Sequence, residues 1–382
     1  MNLCFEQGPI RPPSEAGSLL IRATRNCPWN KCAFCRTYKG AKFELRSSEE
    51  IKQDIVRIAA IFEEIKELSL KEGEGGLLKE KTLYRLFNRF STYDDTYRSV
   101  AGWLYHGGES VFIQDADSLI MKTAEIVSAL AFIKKTFPFV NRITTYCRSK
   151  TASRKSVDEF IMLRDAGLSR IHIGMESGYD PLLKMIKKGV TAEEHIEAGE
   201  KIMEAGISLS EYVMPGLGGE RWSKEHALET ARVVNAINPD FVRMRSLYVT
   251  RGTSLAEMMD KGEFTPLGDE AVLEEIKTFI SALQGIRTTV VSDHMLNLLE
   301  ELEGRLPEDK TKLLAIIDRF FSLSEEDRLV FRLGRRRGIY RTMDDLDDKG
   351  VYEALKNIVE QYEKKEKGSL ERHLYTLIHN YI

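Results

Sequence analysis

Residues 18–35 read SLLIRATRNCPWNKCAFC. Ser18–Ala23 is a short apolar run of β type, and it leads into Asn26-Cys27-Pro28-Trp29-Asn30-Lys31-Cys32-Ala33-Phe34-Cys35. The chain has five cysteines, and Cys27, Cys32 and Cys35 fall within this one loop while Cys4 and Cys147 stand apart. Clustered thiols among Pro, Trp, Asn and Lys are not the pattern of buried apolar cysteine. Thiolates are soft ligands and favour zinc or iron–sulfur. A closed zinc site takes four ligands, commonly as paired knuckles, and no second CxxC or HxxxH occurs in the 382 residues. Three cysteines without a fourth ligand suit a cluster with one iron left open.

Outward from this loop, β-rich runs alternate with amphipathic ones. Ser48–Ile65 places Ile51, Ile55, Ile58, Ala59 and Phe62 at helical spacing behind Ser47 or Ser48 as N-cap. Strands are expected at Val111–Gln114, Asn141–Tyr146, Ser169–Met175, Ile207–Val213 and Phe241–Val249. Helices are expected at Ser118–Phe137, Ser156–Ala166, Thr191–Ala205 and Lys224–Ile237. Six strand–helix alternations in about 230 residues imply a parallel sheet. Such a sheet has both faces covered, and closure into a full or partial barrel achieves this. Function then collects at the C-terminal ends of the strands. Lys66–Gly108 is too long for a barrel loop and reads as an insertion, with a helix around Leu77–Phe90. Past Thr250 the spacing turns helical at Asp269–Gln284, Met295–Glu303, Asp309–Phe321, Glu325–Arg335 and Val351–Lys364, with a short strand at Ile286–Val291. The expected domains are an N-terminal extension over 1–17, a barrel over 18–250 with the insertion at 66–108, and a mainly helical region over 251–382.

The strand, cysteine loop and following helix resemble the entry of the radical S-adenosylmethionine (SAM) superfamily, with the core of its Elp3-, MiaB-, NifB- and coproporphyrinogen-oxidase-like members. The resemblance implies an α/β fold, a partial (βα)6 TIM-like barrel, here followed by a helical C-terminal region. It implies a [4Fe–4S] cluster on Cys27, Cys32 and Cys35 whose open iron chelates SAM. Electron transfer would then yield a 5′-deoxyadenosyl radical that abstracts hydrogen from a substrate. The spacing departs from the common one, with four residues rather than three between the first two cysteines. Phe34, before the last cysteine, matches the position that flanks the adenine. The GGE-like element that binds the SAM amine corresponds to Asp115–Asp117 after the second strand, or to the literal Gly107–Glu109 before it. Arg148 or Lys150 would pair with the SAM carboxylate, since a guanidinium suits that bidentate contact. Glu176, followed by Ser177, would take the ribose hydroxyls, and Gly216 would allow close approach of the adenosyl group.

The composition, 42% hydrophobic and 30% charged, suits a globular chain with a sizeable core. With 56 basic and 59 acidic side chains the net charge is -3, which excludes non-specific coating of nucleic acid. The expected partners are a flavodoxin- or ferredoxin-like one-electron reductant and an unidentified substrate, with a small molecule preferred over nucleic acid. The N-terminus has no secretory pattern and no apolar run spans a bilayer, so a reducing cytoplasm is the expected compartment. The competing function is a non-catalytic zinc or iron–sulfur module serving RNA binding or electron transfer. Secondary candidates are Cys147, Arg243 with Arg245 on one strand face, and Asp293-His294. The run Arg332, Arg335, Arg336, Arg337 and Arg341 reads either as a phosphate or RNA patch or as an intramolecular ion-pair surface.

Overall fold

The strand expected before the cysteines runs over Leu19–Arg22 (β1). The computed structural model describes residues 3–89, 95–365 and 369–378. Seven further strands join β1 in one sheet: Ser110–Gln114 (β2), Arg142–Cys147 (β3), Arg170–Glu176 (β4), Ser208–Val213 (β5), Phe241–Met244 (β6), Thr289–Val291 (β7) and Gly304–Arg305 (β8). Their spatial order is their chain order. A doubly wound sheet reverses its order at a switch point; this one does not, and winds in a single direction as a partial TIM-like barrel does. The pairs β1–β2, β2–β3, β3–β4 and β6–β7 are parallel, and β8 closes the sheet antiparallel to β7. A separate ribbon pairs Thr24 with Leu45 and Arg25 with Glu44, so the cysteine loop leaves and returns through it.

Contacts divide the chain into two compact units. The first comprises Met1–Asn30, Thr37–Gly174 and Glu197–Ser210, the second Lys31–Arg36, Met175–Ile196 and Glu211–Ile382.

In the first unit, helix Ser48–Lys71 (α1) begins with a full capping box, the Ser47 hydroxyl on the Glu50 amide and the Glu50 carboxylate on the Ser47 amide. Its Ile51, Ile55, Ile58, Ile61 and Ile65 are all buried, and EEIKELSLK carries the helix past the expected Ile65. Beyond the insertion, the helix after the second strand is Thr123–Thr136 (α2); the expected start at Ser118 is a short 3-10 turn over Ser118–Ile120. Val157–Asp165 (α3) again has a capping box, from Ser156 and Glu159. The insertion supplies helices Glu80–Arg89 and Asp95–Tyr105, and buried Trp103 of the latter packs edge-on to Phe137 at 5.3 Å. Phe90, at the end of the expected insertion helix, lies outside the described residues.

In the second unit, Gly219–Ile237 (α4), Asp269–Ala282 (α5), Lys310–Ser322 (α6), Glu325–Arg336 (α7) and Ser369–Ile378 (α8) give the expected helical character. The segment Met295–Glu303 is not the helix its spacing suggested. Its carbonyls are taken from outside: Arg336 donates to Leu296 (2.9 Å), and Arg335 to Asn297 (3.1 Å) and Leu298 (2.9 Å). The Asn297 side chain meanwhile accepts from the Ser246 amide and donates to the Met244 carbonyl. Oxygens claimed by guanidinium groups are not available to a helical ladder. Three members of the arginine run, Arg332, Arg335 and Arg336, are therefore buried internal ties, while Arg337 and Arg341 are exposed. Arg332 and Arg336 share Asp269, Arg332 also holds Glu371, and Arg335 holds Glu300. The partners are not the Asp344–Asp348 run that adjoins it in sequence.

Candidate functional site

The first unit carries Cys27. Asn26 and Asn30 flank it with φ of 67° and 48°, a left-handed backbone that asparagine tolerates better than other side chains. The Asn30 amide donates to Cys27 Sγ at 3.4 Å. The loop is anchored on Asp115, which is fully buried just beyond β2. Its Oδ2 accepts from Arg22 Nε (2.9 Å), Arg22 Nη2 (2.6 Å) and the Asn26 amide (3.1 Å), and its Oδ1 from the Tyr38 hydroxyl (2.6 Å). Burial and the neighbouring carboxylate push the Tyr38 phenol well above its ordinary range, so it stays a donor. Gly8 crosses so closely that a Cβ there would lie 2.5 Å from Asp115 Oδ1. Asp115→Asn leaves Arg22 with Glu6 as its remaining acid and removes one acceptor from the buried cluster. It is expected to cost about 2–3 kcal/mol of stability, read as a shifted denaturation midpoint at unchanged slope; an unmoved midpoint would contradict the anchoring role.

Asp117 is likewise fully buried. It accepts from the Arg148 amide (3.1 Å) and from the Thr151 hydroxyl (2.6 Å), while burial raises its pKa. The Arg148 guanidinium lies 5.1 Å from the Trp29 ring centre, a cation–π contact that ties the end of β3 to the cysteine loop. Gly107 and Gly108, with φ of 96° and 72°, form the turn from helix Asp95–Tyr105 into β2, and the Glu109 carbonyl accepts from the Asn141 and Arg142 amides. That places Gly107–Glu109 at the N-terminal end of β2 and Asp115–Asp117 at its C-terminal end. Cys147 is buried, and burial and Asp117 push its thiol well above the ordinary cysteine range.

The second unit carries Cys32 and Cys35. Between them Ala33 is 1% exposed, donates its amide to the Ile186 carbonyl (2.8 Å) and accepts from the Leu255 amide (3.0 Å). Phe34 packs on the cluster that includes Leu182, Leu183 and Ile186. Glu176 ends β4 with φ of 65°, and its Oε1 holds Lys188 Nζ at 3.0 Å. The same Nζ lies 5.9 Å from the Phe34 ring centre, so one lysine joins two of the expected cofactor residues. Ser177 is buried, with its hydroxyl 2.9 Å from His226 Nδ1. Gly216 has φ of 85° and donates its amide to Glu275 at 2.6 Å; a Cβ there would meet Val272 at 3.3 Å. Glu211 on β5 is fully buried with no hydrogen-bond partner on either oxygen among the described residues, and burial pushes its pKa well above the usual carboxylate range. On β6, Arg243 is buried against Asp293, but the strand ends at Met244 and Arg245 is exposed, so the expected shared face is not formed.

Sequence reasoning missed Lys188, Arg22 and Tyr38. Lys188 carried one signal, its place in a Lys-Lys-Gly turn after an apolar helix; Arg22 and Tyr38 carried none beyond proximity to the cysteines. Cys27, Cys32 and Cys35 are half-buried thiols outside any disulfide. Among the described residues, no three His, Cys, Asp or Glu side chains stand in a metal-holding group. The donor chemistry nevertheless fits an iron–sulfur cluster, being three thiols with an amide already directed at one sulfur.

The sequence pattern described as the Radical SAM superfamily matches residues 21–231. The chain belongs to the radical SAM superfamily. Enzymes of this family use a [4Fe–4S] cluster and SAM. The chain is 30% identical over 130 residues to the tRNA uridine(34) acetyltransferase of Methanocaldococcus infernus, an alignment covering 34% of this chain and 24% of that protein. The enzyme of the same name from Dehalococcoides mccartyi is 29% identical over 105 residues, 27% of this chain and 22% of that one. The chain thus spans about a quarter of the length of these curated relatives. Among solved structures, it is similar to the Methanocaldococcus infernus Elp3 with an N-terminal deletion, at 21% identity and a TM-score of 0.42 over 55% of each chain. Methylornithine synthase matches at 13% identity and a TM-score of 0.43, over 78% of this chain and 68% of that one. Radical SAM enzymes need a reductant and a substrate. No described helix is long and apolar enough to cross a membrane.

Proposed function

We propose that Cys27, Cys32 and Cys35 hold the [4Fe–4S] cluster of this radical SAM enzyme and that its reaction begins with hydrogen abstraction from a small organic substrate. The observation that carries the reading is the three-cysteine loop, which follows the first strand of a singly wound sheet and has no fourth cysteine near it. When bound, the cluster supplies the electron that cleaves SAM to methionine and a 5′-deoxyadenosyl radical. The chain's own part is to hold SAM still. The Asp115–Asp117 segment is proposed to meet the amine, with its two side chains spent on anchoring the cysteine loop and the end of β3. Arg148 is proposed to pair with the carboxylate, its guanidinium already oriented by Trp29. Glu176 is proposed to take the ribose hydroxyls, held in place by Lys188, while Phe34 and Gly216 border the adenosyl group and Ser177 fixes the turn behind Glu176.

A small substrate is favoured because Arg332, Arg335 and Arg336 of the basic run are buried in internal ion pairs, which leaves Arg337 and Arg341 as its exposed members. A second reading, a tRNA uridine substrate, is favoured by the name its curated relatives carry. Anaerobic reconstitution is expected to load about four irons per chain, and dithionite with SAM to release 5′-deoxyadenosine. One tightly held zinc with no iron would instead favour a structural metal module. Faster release of 5′-deoxyadenosine with bulk tRNA than without it, and deuterium in that product when the tRNA is carbon-deuterated and the solvent is not, would move the substrate reading to RNA.

A further inference from the structure

The second unit contains a cavity of about 110 Å³ that the proposed radical chemistry does not use. Its walls are mostly apolar, with Leu273, Leu299 and Leu374 each 2% exposed or less. One end is charged, formed by Asp269 of α5, Arg332 and Arg336 of α7, and Glu371 of α8. Asp269 bridges the two arginines, accepting from Arg332 Nε at 3.1 Å and Arg336 Nη2 at 2.6 Å. Two buried guanidinium groups and one carboxylate leave one positive charge, and a buried uncompensated charge is costly.

Glu371 supplies the missing anion. Its oxygens take Arg332 Nη1 at 2.6 Å and Nη2 at 2.7 Å, the two-point geometry in which a guanidinium binds any carboxylate. Unlike the other three groups, whose side chains are at most 14% exposed, Glu371 is 53% exposed. It is therefore the member of the set that can leave for water at small cost. A further donor, Arg336 Nε, is buried without a hydrogen-bond partner among the described residues. The charged end thus has an exchangeable carboxylate and a vacant N–H beside an apolar chamber.

We propose that this cavity is a binding site for a small monocarboxylic acid with an apolar body, whose carboxylate replaces Glu371 on Arg332 and whose hydrocarbon part lies among the leucines. An apolar cavity of about 150 Å³ accepts benzene; the present one is smaller, so it suits a slim unbranched tail of at most about five carbons. An acid supplies the charge that the site needs; an alcohol of the same length does not. The site is independent of the cluster, and the same binding is expected with and without iron.

The test compares hexanoate with 1-hexanol, titrated by NMR or calorimetry against the whole chain. Glu371→Gln removes the internal competitor from a half-exposed position and is expected to tighten hexanoate by about ten-fold, with hexanol unchanged. Val272→Phe, projected into the cavity from the half-buried face of α5, is expected to abolish binding of the acid while the fold survives. Absence of saturable hexanoate binding to both wild type and Glu371→Gln would overturn the proposal. So would equal tightening of acid and alcohol, or full affinity in Val272→Phe.

Discussion

Replacing Cys32 with alanine is expected to abolish iron loading above background and all SAM-dependent release of 5′-deoxyadenosine. A cluster held by three thiolates has no spare ligand, and the chain offers no replacement. Cys147 is buried, its thiol is held in the protonated form by burial and Asp117, and it sits on β3 behind the Asp117–Thr151 pair. Cys4 is exposed. Cys147→Ala is accordingly the matched control, retaining both iron and SAM cleavage. Reconstituted Cys32→Ala that still carried about four irons and cleaved SAM would remove the proposed ligand set.

The largest stability effect is expected from Asp269→Asn. The carboxylate holds two buried guanidinium groups at once, and removing one partner of a buried pair typically costs about 3–5 kcal/mol. Burial alone would raise the Asp269 pKa, but Arg336 and Arg332 more than offset it and hold the carboxyl down at about 2. A group with a depressed folded pKa contributes stability above its unfolded pKa, near 3.9, and loses it as pH falls through the folded value. Wild type should therefore lose this contribution between about pH 4 and pH 2. The variant should be less stable at neutral pH and lack that acid limb. Denaturant titrations at pH 7 and pH 2.5 check both, and parallel curves for the two proteins would contradict the assignment.

The rhythm of strands and helices was legible because each element announces itself locally. Ser47 and Ser156 precede glutamates three residues on, and isoleucines recur along α1 at helical spacing. The cysteine loop was legible for the same reason, being a local pattern of residue types. What failed was non-local. Met295–Glu303 has helical spacing, yet arginines about forty residues away in sequence claim its carbonyls, and no window of that length contains them. Asp115 was legible as a strand-end acid, but its saturation by Arg22, Asn26 and Tyr38 depends on three segments meeting. Lys188 meets Glu176 across twelve residues, beyond a left-handed backbone at Glu176 that no local pattern announces. The basic run shows the same limit: its charge was visible in sequence, whereas its partners on α5 and α8 are fixed by packing.

Those buried arginines also change how the protein meets a protease. Trypsin cuts after lysine and arginine but needs several residues of extended, accessible backbone, and α7 offers neither while folded. Arg332, Arg335 and Arg336 are thus among the least available tryptic sites of the described residues, with exposed Arg337 just beyond them. Exposed Lys71, at the start of the KEGEGG turn, should be cut first. Cleavage within α7 then counts openings of the second unit, and its rate reports the equilibrium population of the open form wherever reclosing outpaces the cut.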